Sequence, residues 1–270
     1  MTYPARINIR TEDESGSDLP LDRRLEIFSL LVRPSPEDSA RAVSDHSECA
    51  ALSGSVRGKL CQQLSQLPPR QIHAGQHLYR TGHQAQSLFL VQGGLIKTST
   101  VSAAGEELTL RLYKPGDLLG ELCLCGGGRR EEAVALEDST VTEISVAALT
   151  ARLRQDPEAA MELAAAVCDR LADAYEQIES LSWDTVLYRL VRTLIRLAND
   201  LGEPAESGTR LAHYIRQEEL ARLVGARREV VSGLLNRLRA SGHISYSPRG
   251  AITVRRTSLQ RFLEARSRAG

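Results

Sequence analysis

Residues 216–235 read RQEELARLVGARREVVSGLL. Two apolar stripes at helical spacing run through this stretch. Leu220, Ala221, Leu223 and Val224 form the first. Val230, Val231, Leu234 and Leu235, continued by Leu238, form the second. Gly225 falls between them, where a tight helix–helix turn needs a residue free of steric cost. The second predicted helix opens on Arg227, Arg228 and Glu229. This is the layout of a helix-turn-helix whose second helix enters the DNA major groove N-terminus first. Arginine pairs bidentately with guanine, and glutamate accepts from cytosine N4. Gln217, Arg227, Arg228, Glu229 and Ser232 are therefore candidate base and backbone contacts.

The charge distribution agrees. The whole chain carries 34 basic and 34 acidic residues. Residues 185–270 nevertheless hold 16 basic and 7 acidic side chains, and every cation there is Arg, the residue suited to phosphate forks and base edges. The neutral total hides a basic C-terminal domain joined to an acidic N-terminal one. After the helix pair, residues 242–246, a Pro248-Arg249-Gly250 turn and residues 251–254 read as a β-hairpin. That adds a wing, with Arg249 at its tip for a phosphate.

Working outward, residues 184–200 form a strongly amphipathic helix, and 202–208 a loop. A longer helix precedes them, opened by Pro157 behind Asp156. Leu163, Val167, Leu171, Ala174, Ile178 and Leu181 recur along it at heptad-like steps, with charged flanks that include Asp169, Arg170 and Asp173. Such a seam calls for a partner helix, and a helix-turn-helix reads two half-sites as a two-fold dimer. Further upstream the pattern turns to short strands at 87–91, 94–99, 107–113 and 140–144, separated by glycine turns at near-regular spacing. The expected organisation is an extension over 1–48 with one short helix near Leu25–Leu31, a β-barrel sensor over 49–150, a dimerisation helix over 151–183 and a winged helix-turn-helix over 184–270. The fold class is α+β.

Composition excludes other classes. No run of about 18 apolar residues marks a membrane span, and Met1 to Asp18 lacks the apolar core of a signal peptide, so a cytoplasmic protein is expected. Five cysteines, an odd number, argue against a disulfide framework. No Ser/His/Asp arrangement, phosphate-cradling Gly-Lys-Ser loop or His-Glu-x-x-His motif is present, so no enzyme is expected.

The order of elements resembles the superfamily of the cyclic-AMP receptor protein and the fumarate–nitrate reduction regulator. Residues 116–122, GDLLGEL, resemble that family's sensor signature; 216–221 and 228–232 resemble its helix-turn-helix. The resemblance covers about residues 55–265 and implies a jelly-roll barrel of cyclic-nucleotide-binding type. It implies that Arg228 and Glu229 read a G·C pair. Where the family usually places a second specificity arginine, this chain has Gly233. It also implies an effector pocket around Glu121, with Arg129 or Arg130 facing a phosphate and Tyr175 near the base. Glu131 and Glu132 stand where a Ser would follow, and they oppose an anion.

The cysteines offer a second sensor. Cys123 and Cys125, two apart, would share one face of a strand and make half a site for a soft metal or an iron–sulfur cluster, with Cys49 and Cys61 upstream. The alternatives are simple thiol redox sensing and cysteine acting as a small buried hydrophobe. The sequence therefore leaves the cofactor open between an iron–sulfur cluster and none. The expected partners are double-stranded DNA with a palindromic site, a second copy of the chain, and RNA polymerase. The rival reading, a ligand-binding regulatory subunit acting on a protein partner, has no use for a basic helix-turn-helix.

Overall fold

A computed structural model of the protein describes residues 59–246 and 250–267. The short helix expected near Leu25–Leu31, Cys49 and Arg249 lie outside these residues. Helix α1 (Lys59–Leu64) leads into eight strands: β1 (Pro69–Ile72), β2 (His77–Tyr79), β3 (Ser87–Gly93), β4 (Ile96–Val101), β5 (Glu107–Tyr113), β6 (Leu118–Leu119), β7 (Glu132–Ala135) and β8 (Ser139–Ser145). They form two four-stranded antiparallel sheets, ordered β1-β8-β3-β6 and β2-β7-β4-β5. Ile72, Phe89, Val91 and Val141 of one sheet meet Tyr79, Ile96, Tyr113 and Ala133 of the other in a single apolar cluster. This is the barrel of short strands that the sequence pattern implied, in the jelly-roll form that the resemblance implied.

Helix α2 (Val146–Gln155) and the long α3 (Pro157–Trp183) follow. The Asp156 carboxylate accepts from the Ala159 amide at 3.2 Å, and Pro157 occupies the first helical position. Over 27 residues α3 runs about 40 Å. The predicted seam divides along it. Leu163 is buried at the barrel's base with Leu60, Leu64 and Leu149. Val167, Leu171, Ile178 and Leu181 stay 41 to 58% exposed. Leu163 is thus part of its own domain's core; the other five, with the exposed Ala174 among them, present an open apolar stripe.

The C-terminal domain contains α4 (Val186–Asp200), β9 (Gly202–Ala205), β10 (Gly208–Leu211), α5 (Gln217–Val224), α6 (Arg228–Ala240), β11 (Ile244–Ser245), β12 (Thr253–Val254) and α7 (Arg256–Ser267). Residues 202–208, expected as a loop, instead enter a hairpin. β9 and β10 pair from Gly202↔Leu211 to Gly208↔Ala205, and β10 also pairs with β12, extending the wing sheet to the order β11-β12-β10-β9. Pro204 is tolerated because β9 is an edge strand. Val230 also departs from expectation: Val231, Leu235 and Leu238 are buried, but Val230 is 46% exposed on the outer face of α6. The domain's core gathers Leu190, Leu194, Leu220, Leu235, Val254 and Leu259, and takes in Leu95 from the barrel, with the barrel's Leu112 and Leu136 packed at its margin.

Candidate nucleic-acid interface and the sensor pocket behind it

The helix-turn-helix closes as its sequence requires. Gly225 ends α5 in the left-handed conformation, at φ 64 and ψ 50. A Cβ added there would sit 3.4 Å from Leu181 Cδ2 of α3. The Arg189 guanidinium on α4 donates to the carbonyls of Val224 (2.9 Å), Gly225 (3.3 Å) and Asp184 (3.1 Å). A cation thus answers the orphan carbonyls at the end of α5 and pins the turn to the preceding helix. Arg227 occupies the N-cap position of α6 without a side-chain capping hydrogen bond, and Arg227, Arg228 and Glu229 all stand exposed at its N-terminal end. Ser232 is half-buried one turn on, and Gln217 is half-buried in the first turn of α5. Behind them, Tyr246 donates its hydroxyl to Asn236 at 3.0 Å and lies under Arg239 at 4.8 Å, tying the start of the wing to α6.

Helix α5 is docked on β4 and β5 of the barrel through buried charges. Lys97 Nζ lies 2.5 Å from Glu107 Oε1 and 3.0 Å from Glu219 Oε2, with Lys97 and Glu219 each 5% exposed. Thr109 donates its hydroxyl to the second Glu219 oxygen. Arg222 closes the group, 3.0 Å from Glu107 and 3.3 Å from Glu219. Burial acts to raise the Glu107 carboxyl, but Lys97, Ser99 and Arg222 override it and hold it below its ordinary value.

Two residues of the expected effector pocket, Arg129 and Glu121, are engaged by the chain's own groups. Arg129 is buried; its guanidinium donates to the carbonyls of Gly120 (3.1 Å) and Ser87 (2.5 Å) and stacks 4.1 Å over Tyr79. Glu121 is ion-paired with Arg170 of α3, both side chains nearly enclosed, and that guanidinium lies 5.3 Å over Tyr113. Beside them Glu131 accepts from the Tyr79 hydroxyl at 3.0 Å, and burial pushes its carboxyl up. Arg130 and Tyr175 are both exposed, so Arg170 is the α3 residue that reaches Glu121. Arg111 pairs with Asp173 one turn further along α3.

The expected strand through Cys123 and Cys125 does not form. Gly120 turns the chain at φ 85, and Glu121–Cys125 follow as a 3-10 turn. A Cβ at Gly120 would come within 2.6 Å of Arg129 Nη1, so a side chain there would displace the buried guanidinium. In the turn Cys123 points inward among Leu60, Leu64 and Leu88, while Cys125 is exposed, so they share no face. Burial pushes the Cys123 thiol up to about 11, away from the thiolate a metal requires. Cys61 is half-buried, with its thiol also raised by burial. Among the described residues no group of three or more His, Cys, Asp or Glu is arranged to hold a metal ion. The described cysteines therefore do not fit a metal or iron–sulfur site.

Lys97, Arg170, Arg189 and Glu219 escaped the sequence reading as functional residues. Their partners are distant in the chain, and each reads locally as an ordinary charge on a polar face.

Comparison with known proteins places this architecture. A family model for the cyclic nucleotide-binding domain matches residues 69–156, and one for the Crp-like helix-turn-helix domain matches residues 188–262. The cyclic AMP receptor protein of Thermus thermophilus is 32% identical over 197 residues, 73% of this chain and 88% of its own length. The anaerobic regulatory protein of Bacillus subtilis is 30% identical over 227 residues, 83% of this chain and 89% of its own. A solved structure of a CRP/FNR-family transcriptional regulator from Thermus thermophilus superposes with a TM-score of 0.61 at 27% identity, covering 73% of this chain and 98% of that one. The two relatives differ in the signal their names record, so kinship leaves the effector open. Both domains, their order and these relatives establish that the chain belongs to the CRP/FNR superfamily and is a DNA-binding transcription regulator.

Proposed function

We propose that the protein acts as a homodimer that reads a palindromic DNA site through paired α6 helices and is switched by an effector acting on the barrel. The carrying observation is the N-terminal end of α6, where Arg227, Arg228 and Glu229 are exposed beside a turn that Arg189 hydrogen-bonds. Arg228 and Glu229 address one G·C pair per half-site. Gln217, Ser232 and the wing's Arg249 bind phosphates or neighbouring edges, and RNA polymerase is the downstream partner. The open stripe Val167, Leu171, Ile178 and Leu181 supplies the dimer face, since a two-fold site calls for two recognition helices.

For the effector, the favoured site is the Glu121–Arg170 pair, which joins barrel to α3. Glu121 and the half-buried Glu131 oppose an anionic phosphate, and Arg129 is committed to backbone carbonyls. An effector must bind two arrangements of this pair unequally to shift the dimer.

The test is selection of a duplex from a random pool, followed by titration of wild type and Arg228→Ala. The variant should lose about 1–3 kcal/mol on the selected site and relax preference at one G·C pair per half-site. Equal losses on selected and random duplex would overturn the base-reading role.

A further inference from the structure

We propose that α6 also reads a thymine methyl group, through Val230, and that Gly233 leaves the space in which that methyl sits. The inference rests on the assignment of α6 as the base-reading helix and goes beyond it to name the neighbouring base.

Val230 is an apolar side chain that the fold does not use. It is 46% exposed, while Val231 beside it is fully buried, so the helix turns Val230 outward by construction. It follows Arg228 and Glu229 directly, on the part of α6 aimed at the groove. Gly233 lies three residues on, along the same face. A Cβ added there would meet nothing within 4 Å. The protein would thus accept alanine at this position, and alanine would favour the helix by about 1 kcal/mol. No packing or backbone demand in the protein accounts for the glycine. Its effect is a notch in the outer face of α6, bordered by the Val230 methyls.

In the major groove the apolar feature of an unmodified base edge is the C5 methyl of thymine. The other edges are donors and acceptors, which a valine cannot satisfy. A notch bordered by valine fits this methyl in shape and in chemistry. Val230 directly follows Glu229, about 1.5 Å further along the helix and less than the roughly 3.4 Å between base pairs. The thymine is therefore assigned to the base pair adjoining the G·C pair read by Arg228 and Glu229.

The experiment uses the full chain and its selected duplex. Each thymine of the half-site is replaced in turn by deoxyuridine, which removes only the C5 methyl. One replacement per half-site, next to the Arg228-dependent G·C pair, should weaken binding about fourfold, from the loss of one buried methyl. In Val230→Ala the same replacement should have no effect. Gly233→Ala should fill the notch and weaken the thymine site, with thermal stability unchanged or raised. A selected half-site without thymine beside that G·C pair overturns the proposal. So does a uracil series that binds like the parent, or a Val230→Ala variant with undiminished uracil sensitivity. Each of these leaves the Arg228 result intact, whereas failure of Arg228 to discriminate would sink the broader reading instead.

Discussion

Replacing Lys97 with methionine removes the central cation of the buried group that docks α5 on the barrel while keeping nearly the same volume. In the wild type, Lys97 contacts both Glu107 (2.5 Å) and Glu219 (3.0 Å). In the variant, Glu219 would stay buried with only Thr109 and Arg222 to answer it. Removing one partner of a buried pair costs about 3–5 kcal/mol. Arg222 remains within 3.3 Å of Glu219, so the loss should sit near the lower bound, about 3 kcal/mol. Urea denaturation followed by circular dichroism measures it. Lys97→Met/Glu219→Leu, which removes both charges, should recover at least half of the loss, the signature of coupling rather than of two independent packing defects. A loss below about 1 kcal/mol in the single variant would refute the reasoning, because the group would then behave as solvated. Acid supplies a second reading. Glu107 is held below its ordinary value of 4.5, so its contribution is full above that pH and is lost as pH falls through the lower, folded value.

Three further outcomes are expected. Leu171→Glu places a charge in the middle of the open stripe on α3 and should give monomers by analytical ultracentrifugation, with loss of tight binding to the selected duplex; an intact dimer would move the interface elsewhere. Gly225→Ala forces a side chain into the left-handed conformation, with its Cβ against Leu181, and should cost about 1–3 kcal/mol of thermal stability; an unchanged midpoint would contradict the strain. Arg170→Ala leaves Glu121 enclosed without its cation, so hydrogen exchange in α3 and in the Glu121–Cys125 turn should rise together; exchange confined to one of them would show that the pair does not couple barrel to helix.

The parts legible in the sequence are those whose cause is local. The periodic stripes of 216–235, the glycine between them and the proline-opened long helix each carry their signal within one element. What escaped depends on contacts across the chain. Arg170 sits among the charged flanks of a heptad pattern and reads as solvated; only the barrel folded against that flank buries it with Glu121. Lys97 and Glu219 are 122 residues apart, and no spacing rule connects them. Cys123 and Cys125 read as strand because the surrounding leucines are apolar, but the left-handed Gly120 breaks the strand. Val230 reads as core because two adjacent valines blur which side of a helix is apolar, and its exposure decides the matter.

The leucines that the barrel lends to the C-terminal core bear on how such regulators can be recombined. Leu95 is 1% exposed inside that core, and Leu112 and Leu136 pack at its margin. A graft that joins this sensor to a foreign DNA-binding module at the junction of α3 and α4 would carry those three side chains to a surface not shaped for them. The foreign module, for its part, would arrive without the residues that normally close its own interior. A working chimaera would therefore have to transplant both sides of that seam together, matching the new module's helices to Leu95, Leu112 and Leu136, and not merely respect the linker.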